Sequence, residues 1–235
     1  MRKATSPGSR IVRYSAIVLA VVLVMAAATP LGAQESIRIG GKLALNIGWL
    51  GGSDWDDQLD MLADNPDAEN VSNETRIGVL GGGFVEITVH PNFALQPELL
   101  FANVGGAYSY DVTGTTVDVD GTIRATALKA PLLLKPRLPV SDDGVLYALA
   151  GPTAIIILGD VDYSESGGGV SVSSSQEPDN RFVLSASVGA GYSHAAGPGA
   201  LQLEARYNRT LTDIFENDNS RINSFNMFVG YGFDL

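Results

Sequence analysis

The sequence contains no cysteine, which excludes disulfide bonds as a source of stability. It is also poor in basic residues, with 15 Lys and Arg against 26 Asp and Glu. The resulting formal net charge of −11 excludes nucleic-acid binding by charge. Beyond residue 28 no apolar run approaches the roughly 18 residues that a membrane-spanning helix needs, so the sequence excludes a helical inner-membrane protein.

The first 33 residues have the pattern of a secretory signal peptide. Four basic residues within the first 13 positions precede an apolar run from about 17 to 28, and the small-residue segment "TPLGA" follows. We predict cleavage after Ala33, so that residues 34–235 form the mature domain with a net charge of −15 once the four positive charges are removed. The alternative is an uncleaved anchor, for which the run is short.

Large apolar residues occupy every second position through most of the mature sequence. In the last eleven residues they are Phe225, Met227, Val229, Tyr231, Phe233 and Leu235. A period of two predicts strands with unlike faces, whereas a helix would place apolar residues three and four positions apart. Eight segments show this pattern, and their approximate spans are 37–49, 75–89, 93–110, 122–138, 145–159, 182–195, 200–211 and 223–235.

The connections between these segments alternate in length. Short turns fall at 90–92, 139–144 and 196–199, and long loops fall near 50–74, 111–121, 160–181 and 212–222. Short turns at one end of a meander and long loops at the other are typical of outer-membrane barrels. We therefore predict an all-β fold, an eight-stranded antiparallel up-and-down transmembrane β-barrel, with apolar faces toward lipid and small polar faces in the lumen.

Three further features bear on this prediction. A closed barrel must pair its last strand with its first, which explains why the chain ends on an apolar alternation. Aromatic residues near the strand ends predict an interfacial girdle, namely Trp49, Phe93, Tyr108, Tyr147, Tyr192, Tyr207 and Phe233. Pro97, Pro131 and Pro152 fall inside predicted strands, where we expect β-bulges to accommodate them.

Several motifs in this order resemble the small outer-membrane β-barrel family, the porin-family barrels with the architecture of the OmpA transmembrane domain. They are "LQPELLF" at 95–101, "LKAPLLLKPRL" at 128–138, "YALAGPTAIIIL" at 147–158, "SVGAGYS" at 187–193 and "LQLEARYNRTLTDI" at 201–214. The terminal Gly230, Phe233 and Leu235 resemble the signal read by the barrel-assembly machinery. The sequence departs from that signal in ending on Leu and in carrying Phe228 where a polar residue is usual.

The predicted inward faces carry isolated charges of both signs: Arg76, Glu86, Glu98, Lys129, Lys135, Glu204 and Arg206. Eight strands leave an interior that side chains fill, so we predict no wide diffusion pore. We interpret the charges as a structural network, because an unpaired buried charge is costly. Glu98 and Lys129 are candidate partners in this network. The alternative is a gated polar path or a ligand site.

Catalytic and metal-binding signals are weak. The chain has two histidines, His90 in a predicted turn and His194 beside Ser193, and adjacent residues on a strand point to opposite faces and cannot form a dyad. We predict no catalytic residue, no cofactor and no metal centre. The first long loop carries eight acidic residues, Asp54, Asp56, Asp57, Asp60, Asp64, Asp67, Glu69 and Glu74. We interpret it as a solvated, partly helical loop, with divalent-cation binding as the alternative. The third long loop, near 160–181, is expected to be flexible.

The sequence thus predicts a monomeric barrel of the bacterial outer membrane. Its expected partners are outer-membrane lipids and, during biogenesis, the barrel-assembly machinery. Its role is expected to be structural, adhesive or ligand-binding, carried by external loops whose ligand the sequence does not identify. The alternatives are a barrel enzyme that modifies lipid A and a soluble periplasmic barrel that holds a ligand.

Overall fold

The computed structural model describes residues 36–212 and 221–235, so the predicted signal peptide lies outside the described residues. The elements are β1 (Ile37–Gly51), α1 (Ser53–Ala63), β2 (Ala68–Glu74), β3 (Arg76–His90), β4 (Phe93–Val112), β5 (Asp118–Pro139), β6 (Gly144–Gly167), β7 (Val170–Gln176), β8 (Phe182–Ala196), β9 (Gly199–Thr210) and β10 (Arg221–Asp234). Within these ranges no helix is long and apolar enough to cross a membrane.

Eight of the strands close into a ring in the order β1, β3, β4, β5, β6, β8, β9 and β10. Every neighbouring pair is antiparallel, and β10 closes the ring by pairing with β1 from Arg38↔Asp234 to Gly51↔Arg221. The predicted fold class is confirmed, and each predicted strand corresponds to one strand of the ring. We call the end that carries Ser36, Leu235 and the turns 91–92, 140–143 and 197–198 the short-turn end, and the opposite end the long-loop end.

The two faces of the wall point as the alternation predicts. Val188 and Met227 lie on the outer surface, while Asn46 and Gln202 are buried in the lumen. The lumen is not uniformly polar, however, and the prediction of small polar residues throughout was wrong for one layer. A buried apolar cluster crosses the barrel nearer the long-loop end; it comprises Ala44, Leu80, Leu100, Ala102, Val104, Ala125, Ala127, Ile155, Ile157, Val161, Val183 and Phe228.

Three strands continue beyond the ring at the long-loop end. There β4, β5 and β6 are joined by β2, which pairs with β4, and by β7, which pairs with β6. We call the resulting five-stranded segment, in the order β2, β4, β5, β6, β7, the protruding sheet. The prediction of a flexible loop over 160–181 was wrong, because β6 and β7 form a hairpin around Gly168 and Gly169. Both glycines have positive φ, which a two-residue turn of this kind requires.

The acidic loop after β1 is partly helical, as predicted. Helix α1 follows Gly52, and Asp54 and Asp56 lie in its first turn, where negative charge stabilises the positive end of the helix dipole. Trp55 is buried and meets the ring of Tyr108 edge-on, with the ring centroids 5.7 Å apart. This aromatic contact attaches α1 to the protruding sheet.

The prolines inside the strands do not create bulges. The pairs Phe84↔Glu98 and Ile87↔Leu95 flank Pro97 and keep one continuous register. Register shifts occur elsewhere, for example between Arg124 and Thr126, so the expected bulges at the prolines were wrong. Each proline lacks a backbone N–H and therefore removes one ladder hydrogen bond, which the uninterrupted pairing on either side tolerates.

Only part of the predicted aromatic girdle lies on the outer surface. Trp49 and Tyr207 stack there with ring centroids 6.1 Å apart, near the long-loop end. Tyr147 instead points into the lumen and is buried. Tyr108 belongs to the protruding sheet and contacts α1, so neither of these two tyrosines is a girdle residue.

Candidate functional site: the lumen charge network

Four charged side chains meet in the middle of the barrel. Glu98 on β4 accepts hydrogen bonds from Lys42 Nζ of β1 at 2.8 Å and from Arg206 Nη1 of β9 at 2.8 Å. Glu204 accepts from Lys42 Nζ at 3.3 Å and from Arg206 Nε at 2.9 Å. All four side chains are about 1% exposed or less, so two cations and two carboxylates are balanced out of contact with water.

A second cluster lies closer to the short-turn end. Lys135 Nζ donates to Glu86 Oε2 at 2.7 Å and to Gln96 Oε1 at 2.9 Å, and Gln202 also donates to Glu86. Gln96 Nε2 in turn donates to Glu98 Oε1 at 2.6 Å, which joins the second cluster to the first. We call the two clusters together the lumen charge network.

The lumen charge network reaches the short-turn end through two arginines. Arg38 Nη1 and Arg137 Nη1 approach Glu86 Oε1 at 3.7 and 3.5 Å, and Arg38 Nε also donates to Asp234 Oδ1 at 2.7 Å. Both arginine side chains are less than one-fifth exposed, beside a cavity of about 190 Å³ that opens at this end. Among the described residues, the network is therefore sealed in the middle and partly exposed at its short-turn edge.

Aromatic rings support two of the buried ammonium groups. Lys42 Nζ lies 4.9 Å from the ring centroid of Phe84 and 5.1 Å from that of Phe228. Lys135 Nζ lies 3.8 Å from the ring centroid of Tyr147. The electron-rich faces of the rings partly replace the water that each cation loses on burial.

The structure brings together five of the seven charged residues that the sequence singled out: Glu86, Glu98, Lys135, Glu204 and Arg206. It does not bring in the other two. Arg76 lies at the long-loop end of β3, and its Nη1 has no hydrogen-bond partner among the described residues. Lys129 is buried, but within the same residues it makes no ion pair with Glu98, so those two are not partners.

Sequence reasoning missed Lys42, which contacts both central carboxylates. A signal was available, because Lys42 falls on the same alternation as Arg38 and Asn46, opposite to Leu43 and Leu45. Sequence reasoning also missed Gln96 and Gln202, which donate hydrogen bonds to Glu98 and Glu86. Their bonding depends on which side chains face them across the lumen, and the alternation along one strand carries no such information.

The remaining candidate residues lie apart from the network. His194 is on the outer surface and stacks on Tyr192, whereas Ser193 is buried. His90 Nδ1 accepts a hydrogen bond from the backbone N–H of Asn92. Across residues 36–212 and 221–235 neither histidine bonds to a serine or threonine hydroxyl, and no three His, Cys, Asp or Glu side chains are placed to hold a metal.

The three terminal residues of interest belong to β10 and the end of the chain. Gly230 faces the lumen against Lys42, while Phe233 is exposed on the outer surface. Leu235 donates its backbone N–H to the carbonyl of Ile37 at 2.9 Å. The last residue therefore remains hydrogen-bonded to the first strand.

The chain matches one protein family in sequence, and it is also similar to several solved structures. Residues 32–216 match the family described as "Outer membrane protein beta-barrel domain". No curated protein matches the chain.

Three of the similar solved structures are bacterial surface barrels. Ail of Yersinia pestis, in complex with the heparin analogue sucrose octasulfate, is 13% identical with a TM-score of 0.36, and the match covers 84% of this chain and 99% of Ail. OprG from Pseudomonas aeruginosa is 11% identical with a TM-score of 0.41, covering 86% and 96%. AlkL, solved in lipid bilayers, is 14% identical with a TM-score of 0.41, covering 89% and 94%.

Proposed function

The chain belongs to the outer membrane protein β-barrel domain family and resides in the outer membrane of a Gram-negative bacterium; on that premise, we propose that its role is structural, adhesive or ligand-binding and is carried at the long-loop end, outside the cell. In barrels of this class the long loops face the exterior and the short turns face the periplasm. The soluble periplasmic alternative does not apply to a member of this family.

The observation that carries the proposal is the closure of the lumen by two successive layers of side chains. Towards the short-turn end, Lys42, Glu98, Glu204 and Arg206 bridge the lumen with hydrogen bonds. The apolar cluster that includes Leu100 lies nearer the long-loop end. An eight-stranded barrel has an interior just wide enough for its own side chains, so these two layers leave no route for a hydrated solute.

The long-loop end offers a structured surface instead. The protruding sheet continues the barrel wall, and α1 packs on it through Trp55. From Gly51 to Glu74 the chain has eight acidic residues and no basic one. Clustered charge of one sign raises the local concentration of ligands of opposite charge, so the surface around α1 favours a cationic partner.

Solute flux through proteoliposomes tests the closed lumen. We expect liposomes containing the mature protein to admit a small sugar such as arabinose at the rate of protein-free liposomes. A general porin reconstituted at the same protein-to-lipid ratio is the positive control. Swelling at a rate close to that of the porin would contradict the proposal, because it would require an open path past Glu98 and Arg206.

Binding of a fluorescent decalysine peptide to the protein in nanodiscs tests the external surface. We expect binding that weakens with salt, and weaker binding still for the triple variant Asp56→Asn, Asp57→Asn, Asp60→Asn. The matched control carries Asp142→Asn and Asp143→Asn in a turn at the short-turn end. Equal binding by the two variants would place the binding site for the cationic peptide away from α1.

We also propose that the lumen charge network is structural and that the protein is a monomer without catalytic activity. The pairing of Glu86, Glu98 and Glu204 supports this, because each carboxylate accepts a hydrogen bond from a buried cation. Lipid A from cells that produce the protein should have an unchanged mass spectrum. A new modification that depends on His90 or His194 would overturn the assignment.

The terminal residues Gly230, Phe233 and Leu235 are proposed as the signal for the barrel-assembly machinery. The exposed ring of Phe233 supports this, since an outward side chain at the end of β10 is free for recognition before closure. We expect Phe233→Ala to lower the amount of assembled barrel in cells while leaving refolding into detergent unchanged. Equal losses in both measurements would indicate a purely structural role.

A further inference from the structure

Lys129 is a buried cation for which the described residues supply no ion-pair partner. It lies on β5, points into the lumen and is 6% exposed. In the described part of the chain Lys129 takes part in no side-chain hydrogen bond or ion pair, and the nearby carboxylates are bonded to other cations. An isolated ammonium in such an environment is costly, because it has lost its water without gaining a counter-charge.

The buried charges of the lumen do not cancel. The charged residues that are buried are the cations Lys42, Lys129, Lys135 and Arg206 and the carboxylates Glu86, Glu98 and Glu204. Every carboxylate is already bonded to one or two of the other cations. The described part of the lumen therefore holds one buried positive charge in excess, and that charge is Lys129.

Lys129 borders a small internal cavity whose polar lining consists mainly of free donors. The cavity has a volume of about 30 Å³ and is lined by residues from six strands of the ring, including Ser185 of β8, Asn208 of β9 and Ser224 of β10. Ser185 Oγ is buried and has no hydrogen-bond partner in the part of the chain that is described. No carboxylate lines the cavity.

The neighbouring polar groups are oriented so that their hydrogens remain available. Asn208 accepts from Ser187 Oγ through its Oδ1 at 2.6 Å, which leaves its amide NH₂ group to donate. Ser224 Oγ accepts from Asn226 Nδ2 at 3.4 Å, which leaves its own O–H free. Together with the ammonium of Lys129 and the hydroxyl of Ser185, these groups make a donor-rich site.

We propose that this cavity binds a small monovalent inorganic anion, such as chloride, against Lys129. The volume suits a particle of about the size of a water molecule, which favours a small inorganic anion. The anion neutralises the excess buried charge and accepts hydrogen bonds from Ser185, Asn208 and Ser224. Val104, Ile155 and Ile157 belong to the apolar part of the lining.

Anomalous diffraction from crystals grown in bromide is the direct test. We expect a bromide peak within roughly 3.5 Å of Lys129 Nζ in the wild-type protein and no peak at that position in Lys129→Met. Arg181→Gln, which removes a half-exposed arginine outside the barrel, is the matched control and should keep the peak. Density for water alone beside Lys129 would overturn the proposal.

A stability measurement covers the case in which Lys129→Met does not fold. The urea midpoint of the wild-type protein in vesicles should be higher in chloride or bromide than in gluconate at the same ionic strength. Ser185→Ala, which removes one donor and keeps the charge, should reduce this difference. A wild-type midpoint that is independent of the anion would contradict the proposal and would point to an uncharged Lys129.

Discussion

Arg206 and Glu98 form a two-pronged ion pair across the full width of the barrel. Their strands, β9 and β4, are four places apart in the eight-membered ring and lie on opposite sides of it. Arg206 Nη1 donates to Glu98 Oε2 at 2.8 Å, and Nη2 donates to Oε1 at 2.9 Å. The pair therefore ties together two walls that share no backbone hydrogen bond.

Breaking this pair should be costly. Glu98→Gln or Arg206→Met each deprives a buried charge of one of its partners and unbalances the cluster, so we expect each to lower the free energy of unfolding by about 3–5 kcal/mol. The double variant should lose less than the sum of the two. Urea titration in phospholipid vesicles measures all three. In the control cycle, Glu98→Gln with Arg181→Gln should be additive within about 0.5 kcal/mol. Additivity for Glu98 and Arg206 would mean that they do not interact.

A charged side chain on the outer face of β8 should destabilise the protein in the membrane. Val188 is 55% exposed in the protein alone and faces lipid in the membrane. Val188→Arg should lower the free energy of unfolding in vesicles by about 2–4 kcal/mol if the site lies near the bilayer midplane. Val172 on β7 is 64% exposed but belongs to the protruding sheet. Val172→Arg should therefore change the free energy of unfolding by less than about 0.5 kcal/mol. Similar losses of stability in the two variants would mean that Val188 and Val172 lie in the same environment, either lipid or water.

Helix α1 should detach when its buried side chain, Trp55, is truncated. Trp55→Ala deletes the buried ring that meets Tyr108 and should increase hydrogen exchange over residues 53–63. The barrel itself should keep its exchange rates, because α1 has no part in the ring. Met61→Ala is the control on the same helix, since Met61 is 67% exposed. Unchanged exchange in Trp55→Ala would show that other contacts hold α1.

The protruding sheet contains a carboxyl pair outside the membrane-spanning part of the barrel. Asp118 and Asp111 are cross-strand neighbours, and their mutual hydrogen bond and like charge raise the pKa of Asp118 above its ordinary value of 3.8. Because the folded state binds this proton more tightly than the unfolded state, the pair opposes folding at neutral pH. This destabilisation of the folded state disappears as the pH falls through the pKa of Asp118 in the folded protein.

Carbon-13 NMR titration of the side-chain carboxyls in nanodiscs measures this shift. We expect Asp111→Asn to lower the pKa of Asp118 towards 3.8, whereas Asp160→Asn, at a site that does not contact Asp118, leaves it raised. A pKa of Asp118 that is the same with and without the Asp111 charge would rule out the pairing as its cause.

The limits of sequence reasoning are clearest on β6. Residues 154–158 read Ala, Ile, Ile, Ile and Leu, so both faces of the strand are apolar and a period of two carries no orientation. The structure turns Ile155 and Ile157 inward, where they form part of the apolar layer. The hairpin of β6 and β7 was also missed, because its serine- and glycine-rich sequence resembles that of a flexible loop. Pairing along β6 overrides that local tendency.

Local information determined the wall of this protein. Alternating side chains and short turns act within one or two strands, so the sequence alone established eight antiparallel strands, their outward faces and the closure of β10 on β1. Only the closed ring decided which inward side chains meet, because it brings β4 opposite β9 and fixes the positions of their residues along the barrel axis. For that reason the sequence supplied Glu98, Arg206 and Lys129, and the tertiary structure paired the first two and left Lys129 alone.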